Sequence, residues 1–167
     1  QGANETVEKL FAVLHNTIET TRRISHDLMP PTLENFGLAA ALEDLCERYH
    51  QVSGVVIDFE LCENANQLVD KTVAQNLFRT VQELMSNSFK HAEASQIDVK
   101  IWLKTDTIKL SYQDNGKGFD PENEAHKKGL GMLNIESRMQ MIGAEYQLES
   151  SEGKGVFVEI QSKYTTS

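Results

Sequence analysis

The spacing of apolar residues along this chain switches between a helical period and a strict alternation, and the order of those switches restricts the fold more than any other feature. Ile97, Val99, Ile101 and Leu103 alternate, as do Ile108, Leu110 and Tyr112, with Thr105-Asp106 between the two runs. That pattern predicts an antiparallel hairpin. Val55, Ile57, Phe59 and Leu61 read as an earlier strand. Tyr146/Leu148 and Val156/Val158/Ile160 read as two later ones around the turn Ser151–Gly155. Helical spacing fills the gaps: Leu38, Leu42 and Leu45 over about 38–51, Val73, Leu77, Val81 and Leu84 over about 70–91, and Met132, Ile135, Met139 and Ile142 over 130–142. The order is helix, strand, helix, two strands, loop, helix, two strands. It predicts an α/β (α+β) two-layer sandwich, a mixed sheet covered on one face by helices.

One further helix is expected ahead of this unit. Val7, Phe11, Leu14, Ile18, Thr21, Ser25 and Leu28 form a single seam over residues 4–29, and Pro30-Pro31 ends it. A seam that narrow needs either partner helices or a docking place on its own domain. The expected division is a helical piece over 1–33 and a domain over 34–167. A chain of 167 residues can bury a core without metals or disulfides, and Cys46 and Cys62 read as free thiols. The net charge of −9 argues against a nucleic-acid partner, which would need a basic face. No stretch approaches the roughly 20 apolar residues of a membrane span, so no membrane contact is expected of these residues. Gln1-Gly2 opens without an initiator methionine, so an excised piece of a longer protein is expected.

Four places carry candidate chemistry. On the helix over 70–91, Arg79, Glu83, Asn87 and Lys90 fall opposite the apolar stripe, and His91 follows Asn87 by one turn. This could be a plain solvated face. Asn87, however, is a poor choice for such a position, and its side-chain oxygen suits Mg²⁺. Asp114-Asn115-Gly116-Lys117-Gly118 directly follows a strand; it could be an ordinary turn, or a carboxylate at a strand end ready to accept a bond from a ligand amino group. Gly129-Leu130-Gly131 opens a helix, where unpaired N–H groups can face an anion. Glu152-Gly153-Lys154-Gly155 could be only a hairpin turn. The dinucleotide and P-loop fingerprints are absent in the contexts they require.

Taken in order, Glu-x-x-x-Asn on a helix, Asp-x-Gly-x-Gly after a strand, Gly-x-Gly opening a helix and Gly-x-Gly in a final hairpin resemble the GHKL ATPase family, which includes gyrase, MutL and the histidine kinases. Leu84–His91 followed by Ala92 is similar to the N box of sensor histidine kinases of the NarX/DesK type. Ile24–Leu33, with Gly37-Leu38 beyond, is similar to the end of their dimerisation helix pair. The resemblance runs from about residue 7 to 161 and implies a Bergerat-type ATP-binding fold. It implies that Asn87 ligates the Mg²⁺ on the ATP phosphates and that Glu83 serves or positions as general base. Lys90 and His91 would lie near the phosphates. Asp114 would bind the adenine amino group, and Gly116 and Gly118 would let the lid start close to the base. Gly129 and Gly131 would hinge its far end. Val156 departs from the pattern, because relatives often carry a hydroxyl there.

A kinase of this kind needs an acceptor histidine. His26 sits in a His-Asp pair, but its neighbours match the second helix of the pair, whereas the family's acceptor lies in the preceding one. The acceptor is therefore expected outside this chain, and His15, His50 and His126 have no supporting context. The resemblance further implies a response-regulator receiver domain as partner, a homodimer in the full-length protein, and a cytoplasmic place behind a membrane-anchored sensor. A nucleotide-binding switch or an anti-sigma-type serine kinase remains the alternative. A purely structural adaptor would leave Glu83, Asn87 and Asp114 without purpose.

Overall fold

The computed structural model describes residues 30–61, 69–104, 107–121, 123 and 130–163. The expected helix over 4–29, the His26 pair and Gly129 lie outside them. The chain divides into two compact units, residues 1–31 and 32–167, and the second holds nearly all that is described here.

Helix α1 spans Pro31–Ser53. Gly37, at φ 81° and ψ −175°, breaks it into two helical stretches. The second starts at about the expected residue 38; the first, which was not expected, opens at Pro31, whose fixed φ and missing N–H suit a first helical position. Beyond that break Leu38, Ala39, Ala41, Leu42, Leu45 and Cys46 are buried. Burial pushes the Cys46 thiol up to about 12, with nearby Glu43 adding to the effect. Strand β1 is Val56–Leu61.

Helix α2 spans Lys71–Asn87. The Asp70 side chain caps it, accepting from the Thr72 N–H at 2.7 Å and the Val73 N–H at 3.3 Å. The expected helix to His91 does reach that far, but its last turn, Ser88–Ala92, is a π turn. It closes on Glu93 in the left-handed region at φ 54°. Strands β2 (Gln96–Lys104) and β3 (Thr107–Asp114) form the expected hairpin. Helix α3 is Leu130–Met141, and β4 (Glu145–Ser150) and β5 (Val156–Lys163) follow.

The sheet order is β1-β2-β3-β5-β4. The β1–β2 pair is parallel and the other pairs are antiparallel, so the sheet is mixed, as expected. Its register aligns side chains in rows across all five strands. One row is Phe59, Val99, Tyr112, Val158 and Leu148; another is Leu61, Ile101, Leu110, Ile160 and Tyr146. In the central strands this face is buried. The opposite face carries Lys100, Lys109, Glu159 and Gln161, all at least partly exposed. Helices α2 and α3 pack on each other, α2 against β3 and α3 against β4.

On the stripe of α2 opposite its apolar residues, Arg79, Glu83 and Asn87 are half-buried, and the start of α3 lies against Glu83 and Asn87. A plain solvated face, the alternative reading of this stripe, does not describe that part of it. Lys90 and His91, farther along, are exposed.

Candidate functional site

The third row of the core face runs Ile57, Ile97, Asp114, Val156 and Ser150. The last residue of β3 therefore presents a carboxylate where the register calls for an apolar side chain, and it is 2% exposed. A carboxylate in that setting is costly unless bonded. Both its oxygens are. Gly116 N–H donates to Oδ1 at 2.8 Å, and the buried Ser88 hydroxyl donates to Oδ2 in a short contact. Ser88 Oγ also lies 2.7 Å from the Tyr112 hydroxyl. Burial drives the Tyr112 phenol well above its ordinary value, and Asp114, Tyr49 and Cys46 reinforce the effect.

The glycines close the backbone around this carboxylate. A Cβ on Gly116 would stand 2.5 Å from the Ala92 methyl and 2.6 Å from the Ala92 carbonyl oxygen. Gly155, at φ 73°, leaves no room for a Cβ beside the Asp114 carbonyl. Gly118 lies against the Ser151 and Gly155 carbonyls. Hydrogen bonds pin the loop on both sides. Lys117 N–H donates to Ala92 O at 2.8 Å, and Gly153 N–H to Lys117 O at 2.6 Å. The Asn115 side-chain oxygen accepts from the Ser95 and Gln96 N–H groups at 2.9 and 3.0 Å. Asp-Asn-Gly-Lys-Gly is thus clamped between the π turn and the final hairpin.

Glu83, Asn87 and Gly131 form a second cluster. A Cβ on Gly131 would lie 2.5 Å from Glu83 Oε1 and 3.3 Å from Asn87 Nδ2. The start of α3 therefore sits directly on the carboxylate and amide of α2. One carboxylate and one amide oxygen are hard oxygen donors, and Mg²⁺ binds through few protein ligands plus water and phosphate oxygens. Among the described residues no group of three or more His, Cys, Asp or Glu could hold a metal alone. The donor set fits a Mg²⁺ that arrives with phosphates. The two clusters meet at consecutive residues, since Asn87 belongs to one and Ser88 to the other.

Of the site residues expected from sequence, Glu83, Asn87 and Gly131 come together, as do Asp114, Gly116 and Gly118. Lys90 and His91 stand exposed on the π turn beyond Asn87. Gly129 lies outside the described residues. Gly155, from the Gly-x-Gly of the final hairpin, packs against Asp114, whereas sequence reasoning missed Ser88 and Tyr112 as parts of the site. A Ser directly after Asn87 and a Tyr two residues before Asp114 are weak signals, since their pairing depends on how α2 meets β3.

A family model described as histidine kinase-, DNA gyrase B-, and HSP90-like ATPase matches residues 72–166, from the first turn of α2 past the last strand. The chain belongs to that ATPase family. Among curated proteins this ATPase chain is similar to the sensor histidine kinase MctS of Rhizobium johnstonii, 34% identical over 152 residues, which cover 88% of the chain and 32% of that protein. It is also similar to the sensor histidine kinase LiaS of Bacillus subtilis, 31% identical over 161 residues, covering 95% and 44%. The chain thus spans less than half the length of either relative. Its fold matches the histidine kinase domain of the Erythrobacter litoralis EL346 blue-light activated kinase, with a TM-score of 0.63 at 19% identity over 75% of the chain and 60% of that structure. It likewise matches the Acinetobacter baumannii histidine kinase AdeS, with a TM-score of 0.61 at 16% identity over 97% and 84%. These matches bear out the expected fold and the ATPase assignment. Among the described residues no helix is long and apolar enough to cross a membrane.

Proposed function

We propose that this chain is the catalytic, ATP-binding part of a sensor histidine kinase, which passes the γ-phosphate of ATP to a histidine for relay to a response-regulator receiver domain. The observation that carries the reading is the buried Asp114 carboxylate, held by donors on both oxygens at the end of β3. An ionised carboxylate there accepts from the exocyclic amine of adenine and repels the carbonyl of guanine. Glu83 and Asn87 supply the phosphate end. Asn87 and the nucleotide phosphates would hold Mg²⁺, which neutralises phosphate charge when bound. Glu83 would take or orient the proton of the attacking imidazole. Phosphoryl transfer asks for positioning and charge compensation more than covalent chemistry, and this site offers both. Lys90 and His91, exposed beyond Asn87, would meet the phosphates from the solvent side, and Gly129 and Gly131 would hinge a lid over them.

The relatives' names support the kinase assignment, and the resemblance of residues 24–38 to a second dimerisation helix supports a homodimer in the full-length protein. The accepting histidine is proposed to lie outside this chain, His26 being the weak internal candidate. The whole protein is proposed to work on the cytoplasmic side of a membrane-anchored sensor. Calorimetry with Mg·ATP tests the core of the reading: the chain binds, and Asp114→Asn loses most of that affinity. Absence of uptake by folded protein refutes it. Incubation with γ-labelled ATP tests the acceptor assignment, because strong acid-labile labelling of this chain alone would place the acceptor within it.

A further inference from the structure

The buried pair Ser88–Tyr112 is left without a role by the family resemblance, which concerns the carboxylate alone. Tyr112 is fully buried and Ser88 is 3% exposed. One sits at the start of the π turn and the other two residues before Asp114 on the same face of β3. Ser88 has one proton, and it donates that proton to Asp114 Oδ2. Its oxygen is therefore the acceptor in the 2.7 Å contact with Tyr112, and the phenol donates. The chain of donation runs Tyr112 to Ser88 to Asp114, with a single direction. Gly116 N–H holds the other carboxylate oxygen at 2.8 Å.

We propose that Ser88 and Tyr112 are positioning residues for base recognition: a buried two-hydroxyl relay that fixes the plane of the Asp114 carboxylate and so sets the preference for a 6-aminopurine. The inference rests on the proposed role of Asp114. A carboxylate held by one backbone N–H could still swing about its Cβ–Cγ bond. A second donor on the other oxygen stops that rotation and leaves the remaining lone pairs in a fixed direction. Ser88 in turn has one free rotor, and the Tyr112 phenol fixes it. Ser88 adjoins Asn87, so the same short segment orients the base end and supplies the phosphate end, tying nucleotide selection to the placement of the metal ligand.

The test uses the whole chain and two probes, Mg·ATP and Mg·purine riboside triphosphate, which lacks the 6-amino group. Ser88→Ala is expected to weaken ATP roughly tenfold and Tyr112→Phe roughly threefold, as befits loss of a charge-assisted bond and of a neutral bond behind it. Purine riboside triphosphate should change less than about twofold in each, since the bond at issue is absent. Tyr112→Phe keeps the ring that packs in the core, so it decides the matter if Ser88→Ala fails to fold. The double variant should match Ser88→Ala alone, because Tyr112 acts only through Ser88. Equal losses for both nucleotides, or no loss for either, overturn the relay while Asp114→Asn still abolishes the preference for ATP. If Asp114→Asn leaves ATP affinity untouched, the reading of the site itself fails instead.

Discussion

Gly153 and Gly155 stand in one hairpin turn with nearly equal left-handed angles, φ 77° and 73°, yet only the second touches the site. Substituting each by alanine separates backbone strain from close approach. An L-residue in that region costs about 1–2 kcal/mol, and the stiffer unfolded chain offsets ~0.4–1 kcal/mol of it. A Cβ on Gly153 meets nothing within 4 Å, so Gly153→Ala should lose ~1 kcal/mol in all. A Cβ on Gly155 overlaps the Asp114 carbonyl and comes within 3.1 Å of Asp114 Oδ1. Those neighbours are the end of a central strand and a carboxylate bonded on both oxygens, so neither yields cheaply. Overpacking of that kind adds ~1–3 kcal/mol, bringing Gly155→Ala to ~2–4 kcal/mol. For a chain of this size the melting midpoint should fall by ~2–4 °C in the first variant and ~4–16 °C in the second. Scanning calorimetry reads both. ATP titration of the same samples should show weaker binding in Gly155→Ala only, because only that change displaces Asp114. Equal midpoints and equal affinities for the two variants would refute the close-packed arrangement around Asp114.

Glu83→Gln keeps the shape of the side chain and removes its basicity, so ATP binding should persist while phosphoryl transfer to a supplied histidine-bearing helix pair falls by ~10²–10⁴; calorimetry and label transfer check the two halves. The Asp70 carboxyl is held below its ordinary value near 3.8 by backbone N–H donation from Thr72 first, then Val73. A lowered folded value means a contribution that is complete above the unfolded value and disappears as pH falls through the folded one. Asp70→Ala should therefore lower the melting midpoint at neutral pH, with the gap to the parent closing below about pH 4, as thermal melts across that range would show. At about pH 8 the Cys46 thiol, pushed to about 12, should react with a soluble disulfide on the order of 10³-fold more slowly than an ordinary thiol. Mass mapping of Cys46 before and after denaturation measures this.

The strands were legible because each central one buries one face, so alternation survives in Ile97–Ile101, Ile108–Tyr112 and Val156–Ile160. The Asp-x-Gly-x-Gly and Glu-x-x-x-Asn residues were legible because their chemistry restricts residue type at fixed spacing. Two features were not. The π turn shifts hydrogen bonding over five residues, too few to disturb an apolar period. The half-buried state of Glu83 and Asn87 depends on α3 lying across α2, and a wheel drawn for one helix contains no second helix. Ser88 and Tyr112 escaped notice for the same reason: their meeting is a property of two elements, 24 residues apart in sequence.

The row Ile57–Ile97–Asp114–Val156–Ser150 places the floor of the proposed purine seat inside the same oily wall that keeps the domain folded. Cohesion and occupancy then share atoms. A guest that satisfies that one polar spot should also tighten the sheet, so heat resistance climbs with nucleotide concentration. Purine mimics aimed at this family member could be ranked by melting curves alone, before any partner or phosphate acceptor is known.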